Sequence, residues 1–170
     1  MELQRYIGIG LSGSKRALAR ALEGLTQEEV SWRPAPGCNS IGLILFHMAR
    51  SEDTIFQKLL QKKPTVWESE RWFEKLGLAE EEEGGHYTAE QVDAFKEPQL
   101  GLMLEFYDAV RARTKEKLRG MTITELDEIV TFPIFGEMPI AALFSFVINH
   151  TCEHIGEISY LRGMQRGIDK

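Results

Sequence analysis

Two histidines four residues apart, His150 and His154, stand in the strongly helical, half-apolar stretch Asn149-His150-Thr151-Cys152-Glu153-His154-Ile155-Gly156-Glu157-Ile158. On an α-helix, residues at that spacing lie one above the other, so the two imidazoles can converge on a single point. Leu143, Val147, Glu157 and Leu161 share their face, which predicts that the pair looks inward. The chain has only 4 histidines. His47 falls beside the apolar stripe of another predicted helix, and His86 follows Gly84-Gly85 in a predicted turn. Three imidazoles are a common protein ligand set for a catalytic zinc ion, leaving a further position for water or substrate. Nickel, iron, manganese and cobalt also accept imidazole, so ligand type alone leaves the metal open. A lone histidine is more often a hydrogen-bonded packing residue than a ligand. Three buried imidazoles without partners would each cost on the order of 1–3 kcal/mol, a large share of a domain's marginal stability.

Helices must position these side chains, and the sequence supplies four long ones. Glu2 to about Glu23 repeats Ile7, Leu11, Leu18 and Leu22 near the helical period, with Gly8, Gly10 and Gly13 weakening its start. Thr26-Gln27-Glu28-Glu29 is a capping box for a short turn carrying Val30 and Trp32. Ser40 is a good N-cap for a second long helix running to about Gln61 and bearing His47; Pro64 closes it. Val66 to Leu78 reads as a short helix or ordered loop anchored by Trp67, Trp72 and Phe73. Thr88-Ala89-Glu90-Gln91 caps a third helix to about Arg119, which Pro98 should kink or split. A helical turn at Thr124 to Asp127 and an extended segment or small hairpin over Ile129 to Gly136 precede the last helix. Pro139 suits that helix's first position, and the helix runs to about Arg166. The expected fold is all-α, a four-helix bundle with short extra helices in its connections, whose interior is a frequent metal site. The chain reads as a single domain over residues 1–170.

Bulk properties narrow the function. The 170 residues are 43% hydrophobic and 27% charged, the balance of an ordinary globular protein. A net charge of −6 argues against nucleic acid, which attracts basic faces. Cys38 and Cys152 make neither a disulfide scaffold nor a paired metal motif, so a reducing, cytoplasmic setting is expected. No leader pattern and no apolar run long enough for a membrane span is present, so no membrane partner is expected.

Asn39-Ser40-Ile41-Gly42-Leu43-Ile44-Leu45-Phe46-His47-Met48, together with Asn149 to Ile158 and the Leu161-Arg162 pair, resembles the DinB/YfiT-like superfamily of metalloenzymes, the damage-inducible bundle proteins. The likeness extends over almost the whole chain, including Trp32-Arg33-Pro34 and Pro139. It implies an up-down-down-up four-helix bundle, often a homodimer, with His47, His150 and His154 as ligands of a divalent metal, zinc or nickel first and iron, manganese or cobalt after them. Characterised relatives include bacillithiol S-transferases and mycothiol-dependent maleylpyruvate isomerase, which implies a stress-response transferase using a low-molecular-weight thiol. One departure is Glu157, where the family often has glutamine.

The chemistry expected of such a site follows from the cation, which eases deprotonation of a bound water or thiol; a thiolate is the reactive form of a thiol. The reading is a thiol S-transferase acting on a small-molecule electrophile, or a metal-dependent hydrolase. Glu157 is the candidate catalytic residue, as a proton acceptor or as the group that orients a ligand histidine. Ser51 and Thr54 lie near His47 round its helix, where they could line a pocket. Glu153 is expected in solvent, Cys152 on the far side of its helix, Cys38 as incidental, and His86 as a surface loop residue. A ferritin-like di-iron centre needs Glu-x-x-His on two helices, and the only such pair, Glu83 with His86, spans two glycines. The alternative from another class is a non-catalytic bundle with a structural, sensory or stress-response metal.

Overall fold

The structure, a computed structural model, describes residues 2–132 and 135–167. Four long helices carry the architecture: α1 (Leu3–Leu22), α3 (Ile41–Asp53, continued as a π-helix over Thr54–Leu60), α7 (Leu100–Arg119) and α9 (Ile140–Arg166). The connections hold α2 (Gln27–Ser31), α4 (Val66–Ser69), α5 (Trp72–Leu76), α6 (Ala89–Ala94) and α8 (Ile123–Asp127). Full capping boxes start α2, α4, α6 and α8 at Thr26, Thr65, Thr88 and Thr122, each threonine paired with a Glu or Gln three residues on.

Contacts between side chains fix the directions of the long helices. On α1 and α9, Gly10 lies against Ile148 while Arg162 Nη1 donates to the carbonyls of Ala21 and Glu23, so these two run parallel. Lys15 pairs with Asp108 and Lys115 donates to Ser12, so α1 and α7 are antiparallel. Phe46 packs near Phe106 and Glu52 pairs with Arg111, so α3 and α7 are parallel. Phe56 sits on Phe144 and His47 faces His154, so α3 and α9 are antiparallel. The order is up, down, down, up, as the resemblance implies. At Gly10 the two parallel helices approach closely: a Cβ there would stand 2.7 Å from Ile148 Cδ1.

The core falls into two apolar clusters. One gathers Trp67, Phe46, Phe106, Trp72 and Leu18; the other gathers Leu11, Phe56, Leu118, Leu126 and Phe144. Each such fully buried side chain is worth roughly 1.5–3 kcal/mol relative to exposure. Among them lies a polar layer. Arg111, 1% exposed, donates from Nε to Glu52 Oε2, whose ion-pair distance to Nη2 is 2.7 Å, from Nη1 to the Leu11 carbonyl and Ser14, and from Nη2 to the hydroxyls of Tyr107 and Thr151.

Several elements settle alternatives that the sequence pattern left open or differ from it in detail. Pro98 splits the third helix rather than kinking it: α6 ends at Ala94, and the extended Gln99 N-caps α7. Val66 to Leu78 forms two short helices. The glycines of α1 leave it unbroken, because packing against α9 outweighs their propensity. The extended segment is an antiparallel hairpin, β1 (Ile129–Phe132) with β2 (Gly136–Pro139), Ile129 opposite Pro139 and Phe132 opposite Gly136. Pro133 and Ile134 of that expected segment lie outside the described residues. Pro139 ends β2 and stands at the N-cap, one position before the helix it was expected to open.

Candidate metal centre

His47 enters from α3, whose start is fixed by the Ser40 hydroxyl accepting from the Leu43 amide. His150 and His154 enter from α9, antiparallel to it. The three Nε2 atoms converge: His47 to His150 is 3.2 Å and His154 to His150 is 3.1 Å. All three ligand atoms lie within 4.8 Å of one another. A tetrahedral ion held at about 2.0–2.1 Å needs nitrogens roughly 3.3 Å apart, so the triad fits a divalent metal.

The outer ring nitrogens are accounted for on two of the three. His47 Nδ1 donates to the Gly84 carbonyl at 2.7 Å, and His154 Nδ1 donates to Glu157 Oε2 at 2.8 Å. With each Nδ1 used as a donor, the neutral imidazole keeps its Nε2 lone pair for the shared point. His150 is held differently, its ring stacked on Phe146 at 5.6 Å and 23°. Burial pushes the His47 pKa below its ordinary value, against the opposing Gly84 hydrogen bond. Burial, then the neighbouring imidazoles, push His150 down to about 4. Neutral rings at neutral pH are the ligand form.

The loop that carries Gly84 is pinned by named contacts. Trp67 Nε1 donates to the Glu80 carbonyl, Arg50 Nε to the Glu82 carbonyl, and the Tyr87 hydroxyl to Glu82 Oε1. Gly84 has φ +64°, and a Cβ on it would stand 2.6 Å from Arg50 Cβ and Cγ. Only glycine places its carbonyl on His47 without moving that contact.

A cleft of about 480 Å³ opens beside the triad, lined on the metal side by His47 and His150, and elsewhere by Ser51, Thr54, Ile55, Leu59, Gly84, His86, Phe135 and Phe146. Ser51 and Thr54 take the lining places that their helical position suggested. His154 and Glu157 do not line it, and the Glu157 side chain is 52% exposed on the outer surface of α9. The inward face predicted for α9 therefore holds at the half-buried His150 and His154, while Glu157 at its margin reaches solvent. Cys152 and Glu153 are exposed, Cys38 is partly buried, and Trp67 and Trp72 are core residues. His86 is an exposed loop residue, yet its ring centroid is 6.3 Å from that of His47. Gly84, Phe146 and Phe135 were not singled out from sequence. Phe146 stands four residues before His150, and that spacing was the available signal.

A half-buried three-histidine point stands beside an open cleft between antiparallel helices, an arrangement that fits a divalent metal. The chain belongs to the DinB superfamily, whose family model matches residues 11–158. In fold it is similar to a conserved protein from Enterococcus faecalis known from a crystal structure, with a TM-score of 0.85, 22% identity and 99% of each chain covered. A search among curated proteins finds no match. Among the described residues, no helix is long and apolar enough to cross a membrane.

Proposed function

We propose that this protein is a metal-dependent enzyme in which His47, His150 and His154 hold one divalent ion, zinc or nickel foremost, and the adjoining cleft receives a small thiol and an electrophile. The observation that carries this is the convergence of three Nε2 atoms beside a cleft lined by two of the three rings. The ion would supply positive charge that favours a bound thiol as its thiolate.

The chain's own residues supply the rest. Gly84 and Glu157 hold two of the imidazoles in the tautomer that presents Nε2. Glu157 is in this reading the group that orients His154, because its place outside the cleft suits that role and not proton transfer to a substrate. Ile55, Leu59, Phe135 and Phe146 limit water around the reacting atoms, and Ser51 and Thr54 offer hydroxyls to a polar part of the substrate. The resemblance to bundle proteins that are often homodimers is what supports a homodimer in this reading. The acidic balance favours small-molecule partners over nucleic acid in a cytoplasmic setting.

Metal content by mass spectrometry on untagged protein is the first test. One ion per chain, lost in His47→Ala, His150→Ala and His154→Ala, is expected. The cobalt-substituted protein should then develop a thiolate charge-transfer band on titration with small thiols. Full metal in His150→Ala would overturn the site. Metal with no thiol response would overturn the transferase and leave hydrolysis or a structural ion.

A further inference from the structure

The fourth histidine of the chain lines the cleft that opens beside the triad. An imidazole bound through Nε2 at about 2.0–2.1 Å has its ring centre roughly 3.2 Å from the metal, so two such rings at a tetrahedral angle lie about 5.2 Å apart. The ring centroids of His47 with His150 and of His47 with His154 are 5.1 and 5.0 Å apart, and those of His150 with His154 are 4.4 Å apart. His86 lies 6.3 Å from His47, only about 1 Å beyond the spacing of a coordinated pair. Direction agrees with distance. His47, His150 and His86 line the same cleft, whereas His154 does not, so His86 stands on the cleft side of the triad. Its mount agrees as well. Gly84 is buried and held by His47, but Gly85 meets no atom within 4 Å of a Cβ position, and His86 is exposed.

We infer that His86 is a displaceable fourth ligand, closing the metal's open position in the resting protein and yielding it to an incoming thiol. This rests on the three-histidine metal reading above. The three helix-borne imidazoles hold the ion permanently; the loop-borne one caps it. With an ion held there, a thiol would take the place of the His86 imidazole, one metal–nitrogen bond being exchanged for one metal–sulfur bond, and the thiol's proton would leave to solvent. A cap of this kind lowers the apparent affinity for every entering ligand by the fraction of time that it is closed. It also shields a reactive ion from chelators when no substrate is present. The same loop thus performs two tasks through residues two apart: the Gly84 carbonyl orients a permanent ligand, and His86 guards the vacancy.

The test compares cobalt-loaded wild-type protein with His86→Ala and His86→Asn, circular dichroism confirming the fold of each. Expected are one cobalt per chain in all three, hyperfine-shifted proton signals from four imidazoles in the wild type and three in the variants, extraction by a chelator about tenfold faster in the variants, and saturation by 2-mercaptoethanol at a severalfold lower concentration. Three coordinated imidazoles in wild type and variants alike, with equal extraction rates and thiol affinity, would overturn the cap. Complete loss of metal in both variants would also overturn it, since His86 would then be a permanent ligand. Wild-type protein without metal would instead sink the three-histidine reading itself.

Discussion

Gly84→Ala is the sharpest perturbation the site offers, because it changes one hydrogen bond to a candidate ligand without touching any ligand. At φ +64° an alanine costs about 1–2 kcal/mol in backbone strain, and its methyl would stand 2.6 Å from Arg50 Cβ and Cγ and 3.2 Å from Phe46 Cε1. Phe46 and Arg50 are 1% and 7% exposed and cannot retreat, so the loop must move. A shift of about an ångström takes the Gly84 carbonyl out of the 2.7 Å hydrogen bond to His47 Nδ1. Loss of such an outer partner typically lowers metal affinity 10–100-fold, about 1.4–2.7 kcal/mol. Gly85→Ala is the control, since nothing lies within 4 Å of its Cβ position. Zinc affinity measured by competition with a chromophoric chelator should fall 10–100-fold in Gly84→Ala and stay within twofold in Gly85→Ala. Wild-type affinity in a folded Gly84→Ala protein would refute the orienting role of that carbonyl.

Further expectations concern the outer carboxylate, the buried ion pair and pH. Glu157→Ala should weaken zinc binding about tenfold in the same competition assay and Glu157→Gln by less, since a half-exposed group is screened by solvent; an unchanged Glu157→Ala would detach the carboxylate from the site. Arg111→Ala leaves the Glu52 carboxyl buried without its ion-pair partner, so urea unfolding should show a loss of about 3–5 kcal/mol, and a loss below about 1 kcal/mol would count against the polar layer as a stabilising element. For His150, the folded value of about 4 lies below the ordinary 6.5, so between these the unfolded chain binds more protons and the metal-free protein loses stability as pH falls. Asp53, raised by burial from 3.8 to about 6, acts in the opposite sense over most of that window. The difference between wild type and His150→Ala in urea midpoints at pH 7 and pH 4.5 isolates the histidine; a wild type no more acid-sensitive than the variant would contradict the assignment.

The long helices were legible because the 3.6-residue apolar period marks their buried faces, with Ser40 marking the start of α3 and the threonine boxes marking short helices in the connections. His150 and His154 were legible for the same reason, since i and i+4 share a face whatever the rest of the chain does. What local signals do not encode is which residues a loop returns to the site. Gly84 and His86 looked like parts of a solvated turn because the contacts that pin the turn come from Trp67, Arg50 and Tyr87, spread over three separate segments. Glu157 was placed inward by angular position alone, yet a long side chain at the margin of a helical face can reach solvent while keeping one oxygen on His154. The π-helical Thr54–Leu60 carries no residue pattern that separates it from an α-helix continued to Leu60.

A bundle of leucine-faced cylinders resists being pulled apart far better than it resists sliding, since one helical turn of slip, about 5.4 Å, offers nearly the same apolar surface again. Arg111 removes that freedom. Its five donors reach α1 at Leu11 and Ser14, α3 at Glu52 and α9 at Thr151, so one guanidinium reads the axial position of three helices at once. Thr151 adjoins His150 in sequence, and Glu52 stands little more than one turn beyond His47. The guanidinium therefore acts as a vernier for the metal point, locking two antiparallel helices at the one relative height where their imidazoles meet. The stability that a buried ion pair forgoes relative to a greasy contact is here exchanged for alignment.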